Sequence, residues 1–204
     1  MPPFHIGLLA TALPVLMLRS TIATDQATPP AQRILTSSLA DAPSLRLRFT
    51  LKRPSMKVYG QSEFYVFANP VVSDDNASVL YDGYAAFIDI ATEYSFLLVG
   101  SIAYFATSPV GGGSSSGTAR CLDASTIPPL NAIVGALNDA TAIASVSASD
   151  ETIKCSIGSL FKVSFGGADF ALCASGASGF TIYGSDLDIA VEYLTIPWIF
   201  RLPR

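Results

Sequence analysis

From Leu45 onward, apolar and polar residues alternate along most of the chain, the period-two pattern of strands with one wet face. In "LRLRFTLK", Leu45, Leu47, Phe49 and Leu51 fall on one side and Arg46, Arg48, Thr50 and Lys52 on the other. "MKVYG" and "EFYVFANP" read as two further strands joined by the turn residues Gly60, Gln61 and Ser62. In "ASVLYDGYAAFIDIA", Asp82 and Gly83 sit between two alternating runs. Both tolerate positive φ, so the pair predicts a type I′ hairpin whose tip projects Tyr81 and Tyr84 on either side of Asp82. Residues 94–106, "YSFLLVGSIAYFA", are almost continuously apolar. They predict one long strand buried on both faces, with Gly100 as a bulge or a point of close approach.

The period changes once. "STIPPLNAIVGALNDA" has Ser125 or Thr126 to cap a helix, two prolines suited to a first turn, and Leu130, Ile133, Val134 and Leu137 as an apolar stripe. Alternation then returns in "CSIGSLFKVSFGGADFALC", where a turn at Gly166 and Gly167 places Phe165 opposite Ala168, Val163 opposite Phe170 and Phe161 opposite Leu172. That register sets Cys173 opposite Leu160 and carries Cys155 far down the ladder, unless "SIGS" bends the chain back. The expected disulfide is therefore Cys121 to Cys155, tying the ends of the helical excursion to the sheet, with Cys173 a small buried residue. A last strand, "LDIAVEYLTI", sets Leu187, Ile189, Val191 and Tyr193 against Asp188, Ala190, Glu192 and Leu194.

These elements predict a mainly β protein, an antiparallel β-sandwich or flattened barrel of about nine or ten strands with one inserted α-helix. It forms a single β-rich domain over 44–196. Residues 1–23 carry an apolar run, "HIGLLATALPVLML", with Thr21 and Ala23 as small residues for cleavage, and read as a signal peptide. Residues 24–43 contain Pro29, Pro30 and Pro43 without a sustained period and read as a flexible arm, and 197–204 as a C-terminal tail. The apolar run 94–110 is short of a crossing, so no stable membrane span is expected. The expected location is outside the cell.

Composition narrows the chemistry. His5 is the only histidine and lies in the leader, so the processed chain has none. That excludes histidine-based nucleophilic triads, a histidine general base and histidine-ligated zinc, and three cysteines cannot complete a four-cysteine site. No metal, cofactor or catalytic residue is assigned, and the chain reads as non-enzymatic. Its net charge of −4 argues against nucleic acid as a partner.

The remaining candidates are binding residues. Tyr81, Asp82 and Tyr84 would form an aromatic contact at a hairpin tip. Arg46, Arg48 and Lys52 would share one face of a strand as a basic patch for an anionic polysaccharide or an acidic partner. Asn76-Ala77-Ser78 is a glycosylation sequon. "RILT", 33–36, departs at its last residue from the Arg-x-Leu-Arg motif of host-translocated effectors and names no family. Together these features imply a secreted binding or interaction protein that recognises extracellular carbohydrate or protein, with an effector-like role as one option. Two alternatives stand beside it: a carboxylate-dependent glycan-active enzyme using the stripe Asp186, Asp188 and Glu192, and a β-barrel carrier of an apolar ligand.

Overall fold

The computed structural model describes residues 41–75, 78–111, 117–123, 126–127, 130–148, 151–155, 158–174 and 176–199. The leader, nearly all of the arm, Asn76 and the end of the tail lie outside the described residues. The strands are β1 (Ser44–Leu51), β2 (Glu63–Val72), β3 (Val79–Asp89), β4 (Thr92–Val99), β5 (Ile102–Pro109), β6 (Thr118–Leu122), β7 (Thr141–Ala142), β8 (Val146–Ala148), β9 (Glu151–Ile153), β10 (Leu160–Phe165), β11 (Ala168–Ala174), β12 (Gly179–Tyr183) and β13 (Leu187–Leu194). Helix α1 spans Leu130–Asn138.

Eleven strands form one antiparallel sheet in the order β6-β5-β4-β3-β2-β1-β13-β12-β11-β10-β7, and β8 and β9 pair separately. The first and last strands are neighbours, in the register Leu47↔Val191 and Phe49↔Ile189. The break in the sheet therefore falls in mid-sequence, between β6 and β7, where the chain inserts α1. That helix packs against both β3 and β10. Six strand spacings separate these two, about 29 Å across a flat sheet, whereas a helix with its side chains is only about 10–12 Å wide. The sheet must curl around the helix, which makes it a flattened barrel with α1 in its seam. The main core is built from Leu47, Phe49, Ala68, Tyr81, Phe161, Leu172, Ile182 and Ile189 of the sheet together with Leu130, Ile133 and Leu137 of α1, and Leu160, Ala171 and Cys173 form a second, smaller cluster.

The apolar stripe of α1, the register of the β10–β11 hairpin and the alternation of β1 and β13 all follow the pattern of the sequence. Three segments depart from it. The expected strand "MKVYG" does not form: Pro54–Met56 make a single 3-10 turn, and Val58 bridges Gln61 across a tight turn at Tyr59 and Gly60, both at positive φ. Residues 94–106 are not one strand: Gly100 and Ser101, at φ +56° and +68°, form a tight turn between β4 and β5. The sheet consequently has more strands than the continuous apolar run implied. Asp82 and Gly83 are not a turn either, but lie within β3, paired with Asn69 and Ala68 of β2. Gly83 sits where α1 crosses the strand, and a Cβ there would stand 3.1 Å from Leu130 Cδ2, so that side chain would have to shift by a few tenths of an ångström.

The disulfide also differs from the expected Cys121 to Cys155. Cys155 is bonded to Cys173, with Cα atoms 5.4 Å apart, and Cys121 is free and exposed on β6. Gly158, at φ +90°, lies so close to Ala174 that a Cβ would fall 2.2 Å from its carbonyl oxygen. The chain therefore bends back beside β11 and does not extend β10 down the ladder, and this brings Cys155 to Cys173.

Native protein should yield one reactive thiol per chain with a disulfide-type thiol reagent, and Cys121→Ser should abolish it. Closing an 18-residue separation, the bridge is worth about 2–4 kcal/mol, so Cys155→Ser should lower the urea midpoint accordingly while Cys121→Ser leaves it unchanged.

Candidate functional site

The residues expected to form a projecting aromatic tip are dispersed by strand geometry. Residues three apart on a strand point to opposite faces, so Tyr81 faces inward, 2% exposed, and Tyr84 faces outward. Asp82 accepts a hydrogen bond from Gly100 N at 2.9 Å and so braces the β4–β5 turn. Tyr84 donates to Glu93 at 3.2 Å, as does Ser95. These three residues are built into the sheet, and no hairpin tip brings them together.

The basic cluster is real as a face of β1, but acids flank it. β1 lies between β2 and β13, so it is not an edge strand. The antiparallel register sets Arg46 opposite Glu192 and Thr50 opposite Asp188. Arg46 pairs with Glu192, Lys52 with Asp188 at 2.7 Å, and Arg53 with Asp186. Arg48 stands 3.9 Å from Glu63, a looser contact between two half-exposed side chains. The acidic stripe and the basic patch thus form a ladder of cross-strand ion pairs. Beside it, Arg46, Arg48, Tyr65 and Gly179 line a polar outer groove of about 430 Å³, and the guanidinium of Arg46 sits 5.8 Å from the centre of the Tyr65 ring.

An apolar space lies on the other face. Residues of β1 to β4, most of them inward-facing, together with Ile127, Leu130 and Ile133 on and before α1, line a cavity of about 470 Å³ that opens to solvent. It exists because α1 contributes only three buried side chains to a wide, curled sheet and rests on Gly83. Four phenylalanines line it in sequence across the strands. Phe49 stacks on Phe64 at 5.1 Å and 3°, Phe64 meets Phe87 at 5.1 Å and 58°, and Phe87 meets Phe96 edge-on at 5.8 Å and 84°. The turn between β1 and β2 lies alongside, with Val58 in the wall and Tyr59 stacked on Tyr94 at 4.3 Å. Thr126, exposed and also lining the cavity, marks where it meets solvent. Its hydroxyl donates to the Asp123 carbonyl at 2.6 Å.

Apolar alternation placed Phe49 on the inner face, yet nothing in the pattern brought the four rings together or distinguished a filled core from a hollow one. Among the described residues, no group of three or more His, Cys, Asp or Glu lies together as a metal site. Within the same residues, no helix is long and apolar enough to cross a membrane.

Burial perturbs the tyrosines. It pushes Tyr59 and Tyr84 upward, and it raises both Tyr81 and Tyr193 to about 12. The Tyr81 hydroxyl donates to the Pro43 carbonyl at 3.3 Å, and the Tyr193 hydroxyl is buried with no hydrogen-bond partner among the described residues. A raised folded-state pKa means that the unfolded chain loses its proton first. The stabilisation is therefore complete below the ordinary tyrosine value of 10.0 and is lost as pH rises through about 12. Urea midpoints measured across that interval should fall steeply, and Tyr81→Phe with Tyr193→Phe should flatten the slope.

No protein-family model, no curated protein and no solved structure matches the chain, so the functional reading rests on this geometry.

Proposed function

We propose that the protein is a secreted, non-enzymatic binding protein that carries an apolar small molecule in the cavity between the curled sheet and α1. The observation that carries this reading is the cavity itself, about 470 Å³ and walled by phenylalanine and aliphatic side chains. Its size lies within the roughly 300–1,000 Å³ typical of sites that enclose small molecules. Dispersal of Tyr81, Asp82 and Tyr84, and the pairing of Arg46 and Lys52 with acids, weigh against the surface they were expected to form. The Cys155–Cys173 bridge supports an oxidising compartment, as the leader-like residues 1–23 do.

A second reading, recognition of an acidic carbohydrate or protein, is favoured by the outer groove with Arg48 and Tyr65 exposed at its rim.

The two readings separate in one experiment. N-phenyl-1-naphthylamine, a neutral probe that fluoresces in apolar surroundings, should brighten on mixing with the protein. Ala85→Phe, which projects a ring into the cavity, should abolish the signal while circular dichroism stays native, and Arg48→Ala with Tyr65→Ala should leave it unchanged. If the groove is the site, those last substitutions should instead remove binding to a sulfated or uronate polysaccharide, with Ala85→Phe neutral.

A further inference from the structure

The chemistry of the cavity wall narrows its occupant further, an inference that rests on the carrier reading above. We infer that the cavity selects a neutral, ring-bearing apolar molecule and discriminates against straight-chain and ionised lipids such as fatty acids.

The first ground is charge. Among the described residues, no Lys, Arg, Asp or Glu lines the cavity. Arg120 on β6 lies over the ring of Phe105, 5.2 Å from its centre, and neither residue is part of the wall. A carboxylate held inside would be unpaired in an apolar environment, which costs far more than its hydrocarbon gains. Polar side chains of the wall are already engaged. Thr126 donates to Asp123, and Tyr84 reaches the cavity from a strand whose alternation turns its ring to the outer face, where it donates to Glu93.

The second ground is shape. Phe49, Phe64, Phe87 and Phe96 form a continuous run of rings across four adjacent strands, with mutual angles from 3° to 84°. They therefore present both faces and edges. Flat rings gain from offset-stacked and edge-to-face contacts with such a wall beyond the area they bury, and an alkyl chain gains the area alone. Tyr59 extends the run at its margin, 5.4 Å from Phe87 and 6.2 Å from Phe96. Chain flexibility adds to the preference, because a linear lipid loses more conformational freedom than a fused ring when it is held against such a wall.

The test is competition on the full-length protein loaded with N-phenyl-1-naphthylamine, using 2-methoxynaphthalene, undecan-1-ol and undecanoate, which have equal carbon counts. The naphthyl ether should displace the probe at a concentration about tenfold below that of the alkanol, the equivalent of one or two ring contacts. Undecanoate should be weaker still. Phe87→Leu should erase the advantage of the ether and leave the alkanol unchanged, and Phe96→Leu supplies the same comparison should Phe87→Leu fold poorly. An alkanol that competes as well as the ether would overturn ring selectivity and leave the carrier reading standing. Undecanoate competing as well as the alkanol would overturn the requirement for neutrality. Absence of probe binding to the wild-type protein would overturn both the inference and the reading beneath it.

Discussion

The contact of α1 with β3 and β10 at once is the constraint on which the rest of the structure depends. These strands are six positions apart in a single sheet, so the helix can touch both only if the sheet rolls up around it. Burying Leu130, Ile133 and Leu137 supplies about 1.5–3 kcal/mol each toward that curvature. Gly83 sets the depth of approach, since any larger side chain would have to displace Leu130. At the same time the helix is too short to fill the concavity it closes, and the cavity lies beside the contact that creates it. Fold and candidate site therefore have one cause.

On the outer face, the same pairing of first and last strands decides the electrostatics. β1 supplies Arg46 and Arg48, Lys52 follows its last residue, and β13 supplies Asp188 and Glu192 from the far end of the sequence. Antiparallel register interleaves them, turning two oppositely charged runs into ion pairs. Exposed pairs of this kind are each worth only about 0–1 kcal/mol. Their larger consequence is that a patch which looks strongly basic in the sequence presents little unbalanced charge to a partner, with Arg48 the least tightly held.

Aromatic residues divide in a way that spacing explains. Tyr81 and Tyr84 are separated by an odd number of positions, so a continuous strand sends one inward and the other outward. Phe49, Phe64, Phe87 and Phe96 come from four strands; the inward parity of Phe49 was legible in its own alternating run, whereas Phe96 lies in a run too uniformly apolar to show a face. What they do together depends on the hydrogen-bonded order β1-β2-β3-β4 and on how closely α1 can approach. At the tail, Trp198 stacks on Phe67 at 3.9 Å, and its backbone exchanges hydrogen bonds with Asn69 in both directions. This docks the segment after β13 on the outer face of β2.

Local alternation determined that this protein is mainly β with one α-helix among the described residues and which faces of β1, β10, β11 and β13 are buried, and composition determined that His5 is the one histidine. Each of these depends on residues adjacent or two apart, or on composition, and so can be read from a linear string. Turn placement was harder. Asp82-Gly83 and Gly100-Ser101 are both acceptable turn pairs, and only strand pairing on either side decided which one reverses the chain. The disulfide needed the backward bend at Gly158, a local conformation with a distant result. Ion pairing of the basic face, and the space between sheet and helix, depended on elements more than a hundred residues apart or on how far two surfaces approach. Those quantities arise from the packing of the whole chain, which is why tertiary structure alone decided them.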